Sequence, residues 1–201
     1  DWSSDVCSSD LADFPAVGDF VMLDRESDAG GHAIIHHVLP RKSAFIRKAA
    51  GTAQEEQVVA SNIDTVFICM AMNKDFNLRR LERYLAIGWD SGAAPVVVLT
   101  KSDLCGHPAE RLAETQSVAI GADVIMTTTQ GGGDFEAAMP YMRPGQTVAF
   151  IGSSGVGKST LINGLAGEEM FATGGLRNDD KGRHTTTRRE LIKLPDGAMV
   201  I

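Results

Sequence analysis

A chain of 201 residues, 43% hydrophobic and 22% charged, holds enough apolar material for one full domain and part of a second, which excludes intrinsic disorder and a collagen-like repeat. Its longest apolar runs, residues 66–72 and 96–99 among them, fall far short of the ~20 residues a membrane-spanning helix needs, and the acidic, serine-rich start lacks the chemistry of a secretory signal. The net charge of −7 is concentrated at one end: Arg25 is the only basic residue before Arg41, and the chain after Pro40 carries both signs equally, so bulk acidity does not exclude a nucleic-acid partner.

Residues 1–11 match nothing that follows and read as an unrelated or disordered leader. Over residues 12–61, short β-type runs at 20–23, 33–39, 44–46 and 57–60 are separated by turn-rich segments at 28–31 and 49–52, the pattern of a small antiparallel barrel or part of one. The rhythm then changes. A buried-type strand at 65–70 is followed by a helix with Leu78, Leu81, Leu85, Gly88 and Trp89 on one face, capped by Asn77 and ended by Gly92. Strands at 95–99, 124–126 and 147–151 alternate with helices at 109–120 and 135–139 and one starting at Lys158. Strands alternating with helices predict an α/β domain over 62–201, its mostly parallel sheet covered on both faces. The irregular stretch 166–189 reads as a functional loop, and 190–193 and 198–201 as a hairpin turning at Pro195-Asp196-Gly197. Cys7, Cys69 and Cys105 lack any Cys-x-x-Cys or Cys/His spacing, so no disulfide or zinc site is predicted here, and Cys69 and Cys105 are expected to fill the core.

The strongest chemical signal is Gly152-Ser153-Ser154-Gly155-Val156-Gly157-Lys158-Ser159, a complete Walker A sequence between a predicted strand and a predicted helix, with Thr160 in the first helical turn. Its glycines let backbone N–H groups curl around a β-phosphate, Lys158 reaches the β and γ oxygens, and the Ser159 hydroxyl can ligate Mg²⁺. A Walker A alone does not choose the base. Thr100-Lys101-Ser102-Asp103, after the strand at 95–99, is similar to the guanine-reading Asn-Lys-x-Asp motif, in which the carboxylate accepts from guanine N1–H and the exocyclic amine. Adenine lacks that donor pair, so a buried carboxylate would be left unpaired against it. Read alone, Ser102 or Asp103 could instead be a helix N-cap. The base-reading loop precedes the phosphate loop, the reverse of the ordinary GTPase order, yet loops at the carboxyl ends of parallel strands meet whatever the chain order. The arrangement resembles a circularly permuted GTPase. Thr127-Thr128-Thr129 then holds the place of the second guanine loop, where Thr128 would offer a backbone N–H.

These motifs, with Ala16-Val17-Gly18-Asp19, Val38-Leu39-Pro40-Arg41-Lys42, the run NLRRLERYL from Asn77, and Gly182-Arg183-His184-Thr185-Thr186-Thr187-Arg188, resemble the RsgA (YjeQ) family of circularly permuted, ribosome-dependent GTPases. The resemblance implies a partial OB-fold RNA-binding domain over 12–61, a permuted GTPase domain over 62–201, GTP hydrolysis, and late maturation of the small (30S) ribosomal subunit. It also implies Mg²⁺ as cofactor, held by Ser159 and Thr186, with His184 beside the switch threonines orienting the attacking water; as a lone histidine it could equally be solvated. The expected partners are GTP or GDP and the small subunit with its rRNA, the expected form a cytoplasmic monomer without a membrane partner.

Three departures qualify this. Thr100 puts a hydroxyl where the family has an amide, which predicts weaker guanine affinity with specificity kept through Asp103. The family continues past Ile201 into an Asp-x-x-Gly motif and a zinc-binding domain, and the barrel's first strands are replaced by the leader, so this stretch alone is expected to hydrolyse GTP feebly. The alternatives are an rRNA-binding module whose conformation nucleotide sets, without significant turnover, and an ATP-dependent P-loop enzyme, which the Thr100 to Asp103 loop disfavours. Basic clusters between Arg177 and Lys193 and at Arg41, Lys42, Arg47 and Lys48 are candidate rRNA contacts, with Phe45 the one aromatic near them.

Overall fold

The computed structural model describes residues 14–24, 33–48, 56–128, 134–171 and 190–201. The first four strands form two antiparallel pairs: β1 (Val21–Leu23) with β2 (Ile35–Val38), and β3 (Ala44–Lys48) with β4 (Glu56–Ser61). They fall on the four predicted β runs. Among the described residues the pairs are separate two-stranded sheets, joined to each other by no strand pairing. Part of what fastens this region is polar. The Asp19 carboxylate accepts from Arg41 Nε and Nη2, both at 2.7 Å, from the Ser61 hydroxyl at 2.5 Å and from the Ala16 N–H at 2.8 Å. Burial pushes the Asp19 carboxyl up, and these partners together outweigh it and hold its pKa below the ordinary value.

The chain then enters a six-stranded sheet through Asn62, whose positive φ of 54° is one that asparagine tolerates. Elements follow as β5 (Thr65–Ala71), α1 (Leu78–Asp90), β6 (Ala94–Thr100), α2 (Pro108–Val118), β7 (Asp123–Met126), a 3₁₀ segment (Glu136–Tyr141), β8 (Thr147–Ile151), α3 (Lys158–Ala166), β9 (Ile192–Lys193) and β10 (Met199–Val200). The spatial order is β7-β6-β5-β8-β10-β9, with β7 through β10 parallel and only β9 antiparallel. Sequence explains the centre. Every residue of β5 is buried, and the pleat sends successive side chains to opposite faces. Val66, Ile68 and Met70 pack with Val97, Leu99 and the α1 residues Leu81 and Leu85. Phe67, Cys69 and Ala71 pack with Val96, Val98 and the α3 residues Leu161, Ile162 and Leu165 on the other.

α1 starts where Asn77 Oδ1 accepts the Arg80 N–H at 2.9 Å, and Gly92 follows its end with φ +82°. Its buried face is Leu81, Leu85 and Gly88; Trp89, expected there, is 49% exposed, because it lies one residue, about 100° of helical rotation, past the contact at Gly88. Cys69 is core as expected, whereas Cys105 is only half-buried, since it lies in the loop after β6 and not on a strand. Phe45 is also corrected: it is buried among Ile63, Leu81 and Leu85, so its ring is no stacking platform. No helix among the described residues is long and apolar enough to cross a membrane.

Candidate nucleotide site

Four loops leave the carboxyl ends of parallel strands along one edge of the sheet: 72–77 after β5, 101–105 after β6, 127–128 after β7 and 152–157 after β8. The chain winds from β5 outward to β7, then returns to lay β8 on the far side of β5. That reversal between β5 and β8 opens the crevice in which α/β sheets bind ligands, and it cancels the inverted order of the two motifs along the chain.

The phosphate loop is shaped by close approach. A Cβ on Gly152, at φ +150°, would stand 2.5 Å from the Cys69 carbonyl oxygen, so only glycine lets β8 pass β5 there. Val156 turns inward, 1% exposed, and plugs the core under the loop, while Gly157 at φ +103° caps α3 and starts it at Lys158. The loop's carbonyls are tied back. Lys158 Nζ donates to the Gly152 and Ser153 carbonyls, each at 2.8 Å, Lys101 Nζ donates to the Gly155 carbonyl at 2.7 Å, and the Thr100 hydroxyl donates to the Val156 carbonyl. With these acceptors engaged, the N–H groups of the first turn of α3, which have no carbonyl partner within the helix, give the site anion-binding chemistry. Burial lowers the Lys158 pKa, opposed by nearby Cys69, and burial pushes the Cys69 thiol up to about 12 despite Lys158. Cys69 is thus a neutral thiol at pH 7, and the Lys158 ammonium keeps its charge beside it.

The other motif residues stand across the crevice. Lys101 adopts φ +58°, a left-handed conformation that costs a non-glycine residue roughly 1–2 kcal/mol, and it introduces the 3₁₀ turn Ser102–Leu104 without a side-chain cap. The N-cap of α2 is His107. Neither Ser102 nor Asp103 therefore caps a helix. Instead the Asp103 carboxylate accepts the Thr128 hydroxyl at 2.8 Å, and the Ser102 hydroxyl donates to the Thr127 carbonyl at 3.2 Å. Thr100, Lys101, Thr128 and Thr160 border one cavity of about 120 Å³. Ser153, Ser159 and Thr160 are half-buried, Ser154 and Gly155 exposed. His184, Thr186 and the arginines between 177 and 189 lie outside the described residues.

Two partnerships were not foreseen. The Thr128 side chain, expected to contribute only its N–H, anchors Asp103. Asp75 accepts the Ser153 hydroxyl at 2.8 Å and pairs with Arg80 at 2.8 Å, so Ser153 first and Arg80 after it hold the Asp75 carboxyl below its ordinary value. The available signal was the polar run Asn73-Lys74-Asp75 between an apolar strand and a capped helix, at the strand end that the Walker A strand must neighbour. The basic cluster on β3 and the connection before it is partly spent internally: Arg41 binds Asp19 and Lys42 pairs with Asp64 at 2.6 Å.

Fold and loops together define a P-loop α/β domain in which the Thr100 to Asp103 loop precedes the Walker A loop. Residues 38–201 match the RsgA GTPase family, and the chain belongs to it. It is 54% identical over 191 residues to small ribosomal subunit biogenesis GTPase RsgA 2 of Lactiplantibacillus plantarum, covering 94% of this chain and 53% of that protein. To the RsgA of Methanosarcina acetivorans it is 47% identical, covering 93% and 51%. The chain thus spans about half the length of these curated relatives. Its fold is shared with YjeQ from Thermotoga maritima, at TM-score 0.67 and 24% identity over 93% of this chain and 59% of that one. YloQ, a circularly permuted GTPase, superposes at TM-score 0.59 and 22% identity, covering 93% and 56%.

Proposed function

We propose that this chain is the guanine-nucleotide-binding part of a GTPase acting in late maturation of the small ribosomal subunit. The supporting observation is the junction of the two motifs: Thr100 and Lys101 grip the carbonyls of Val156 and Gly155, so base-reading and phosphate-holding loops face one crevice. Asp103, held by Thr128, reads the guanine N1–H and amine; Lys101 and Ser102 shape that loop, and the Thr128 N–H meets the base oxygen. The phosphates lie on the backbone of Gly152, Ser153, Ser154, Gly155, Val156, Gly157, Lys158, Ser159 and Thr160. Lys158 moves its ammonium from two carbonyls to the β and γ oxygens, an exchange of partners with little reorganisation. Water attacks the γ-phosphorus in line, the bond to the bridging oxygen breaks, and GDP and phosphate leave. His184 orients that water.

A hydroxyl donor set fits Mg²⁺, which keeps several waters and takes few protein ligands beside phosphate oxygens. Ser159, at the second position of α3, is one such donor, and Thr186 is the second we assign from sequence. Bound there, Mg²⁺ supplies positive charge against the β- and γ-phosphates. We place the domain boundary at Asn62, between a partial barrel over 12–61 and the GTPase part over 62–201. Names of the relatives, small ribosomal subunit biogenesis GTPases, supply the ribosomal partner; the pairing of Arg41 and Lys42 leaves rRNA contact chiefly to the basic residues between Arg177 and Lys193.

Calorimetry with GDP and ADP tests the base assignment: Asp103→Ala is expected to erase the guanine preference while keeping diphosphate affinity. A variant with the wild-type preference overturns it. Turnover of the full-length parent with and without small subunits, at two salt concentrations, tests the partner, and a parent indifferent to them removes it.

A further inference from the structure

The cavity between the two motifs has a wall that neither motif supplies. It includes Phe135, half-buried, which lines the same space as Lys101, Thr128 and Leu161 and packs against the buried cluster on the α3 face of the sheet. Phe135 is brought there by local bonds. The Asp134 N–H donates to the Thr128 carbonyl at 3.0 Å, a single bridge that returns the chain to the end of β7, and the Ala138 N–H then donates to the Phe135 carbonyl at 2.9 Å to open the 3₁₀ segment. The ring itself rests on α3 at Gly164. A Cβ at that position would stand 2.1, 2.3 and 2.6 Å from Phe135 Cε2, Cζ and Cδ2, closer than carbon atoms approach, so the ring occupies the space of the missing side chain. Glycine inside a helix is destabilising relative to alanine, and here the notch it leaves seats an aromatic ring.

We propose that Phe135 is a base-binding residue, an aromatic wall of the nucleoside pocket that Lys101 also lines, and that Gly164 is the positioning residue that seats it. The inference rests on the reading of the crevice as a guanine-nucleotide site and deepens it. A purine needs apolar, polarizable surface against its π-face, whatever reads its edge; the pocket otherwise offers hydroxyls, backbone, the methylene stem of Lys101 and the Leu161 side chain, and among the described lining residues Phe135 is the aromatic one. Division of labour follows. Asp103 discriminates among bases through the edge, whereas Phe135 holds any purine through the face and leaves the discrimination unchanged.

The test compares GDP, ADP and inorganic pyrophosphate binding by calorimetry in wild type, Phe135→Ala, Phe135→Tyr, Gly164→Ala and the double variant Phe135→Ala/Gly164→Ala. Phe135→Ala is expected to weaken GDP roughly 5- to 100-fold, the range for loss of one base–aromatic contact, with the guanine-over-adenine ratio and pyrophosphate affinity unchanged. Phe135→Tyr keeps the ring and restores GDP affinity. Gly164→Ala displaces the ring and weakens GDP but not pyrophosphate, and adding it to Phe135→Ala brings no further loss because the ring it displaces is gone. Equal losses for GDP and pyrophosphate would show a collapsed phosphate loop and overturn the assignment, as would GDP binding in Phe135→Ala at the wild-type level. Wild-type protein that binds pyrophosphate but prefers no guanine nucleotide would instead overturn the site reading itself, a result distinct from either.

Discussion

The four strands before Asn62 and the six-stranded sheet after it handle apolar residues differently. In the sheet, Phe67, Ile68, Val97 and Val98 have no exposed surface, and the rings of Tyr141 and Phe150 meet Phe67 edge-on at 5.7 and 5.2 Å. In the hairpins, Phe45, Val58 and Ala60 are buried, but Phe20, Met22, Ile35 and Ile46 stand 62, 52, 44 and 53% exposed, and the described backbone is drawn together around one buried carboxylate. The contrast teaches where stability resides. A doubly covered parallel sheet gains from every apolar side chain in it, and its geometry transmits to the loops along its edge, whereas a region fastened through Asp19 depends on a few charge-assisted bonds whose strength follows pH.

The largest expected effect breaks the sheet side of this comparison. Phe67→Ala removes a ring packed from both sides and should cost about 3–5 kcal/mol of stability, read as a lowered urea midpoint, with nucleotide binding lost in the same transition because the four loops share that sheet. Survival of the wild-type midpoint would show that the sheet is not the stability centre.

A smaller effect sharpens the other side. Asp19→Asn removes the charge that Arg41 and Ser61 serve, at about 1.5–3 kcal/mol. The sign with pH is fixed by the depressed carboxyl. Its contribution is complete above the ordinary value of 3.8 and is lost as pH falls through the lower folded value. Wild type and variant should therefore differ in urea midpoint at pH 7 and converge on acidification below 3.8. A gap independent of pH would assign the loss to packing.

Legibility divides along the same line. The strand pattern, the parallel sheet, the Walker A loop and the capping of α1 by Asn77 are local in origin, written in period, glycine spacing and side-chain chemistry over a few residues, and all are observed. What could not be read is set by partners far along the chain. Phe45 looks like a surface aromatic beside basic residues until Leu81 and Leu85 cover it. Arg41 looks like a free cation until Asp19, 22 residues away, is folded against it. Thr128 and Asp103 are 25 residues apart, Asp75 and Ser153 78, and no periodicity reports such meetings.

Thr100 carries the smallest predicted effect and the most direct reading of how sheet and site communicate. Its family position normally holds an asparagine, whose amide donates twice, but the single hydroxyl proton here goes to the Val156 carbonyl from a side chain 4% exposed. The bond therefore serves the junction of the loops. Thr100→Val keeps shape and burial and removes only that donor, leaving the Val156 carbonyl with one fewer partner, a change of about 1 kcal/mol. Global stability should move by no more than that, while dissociation of GDP should accelerate roughly five-fold, because the phosphate loop loses one of the ties that set its carbonyls back. Guanine-over-adenine preference should stay, since Asp103 and Thr128 are untouched. Thr100→Asn adds the second donor and should slow GDP release below the wild-type rate. Unchanged release in both variants would mean that the phosphate loop is held by Lys101 and Lys158 alone, and that the hydroxyl merely satisfies a buried carbonyl.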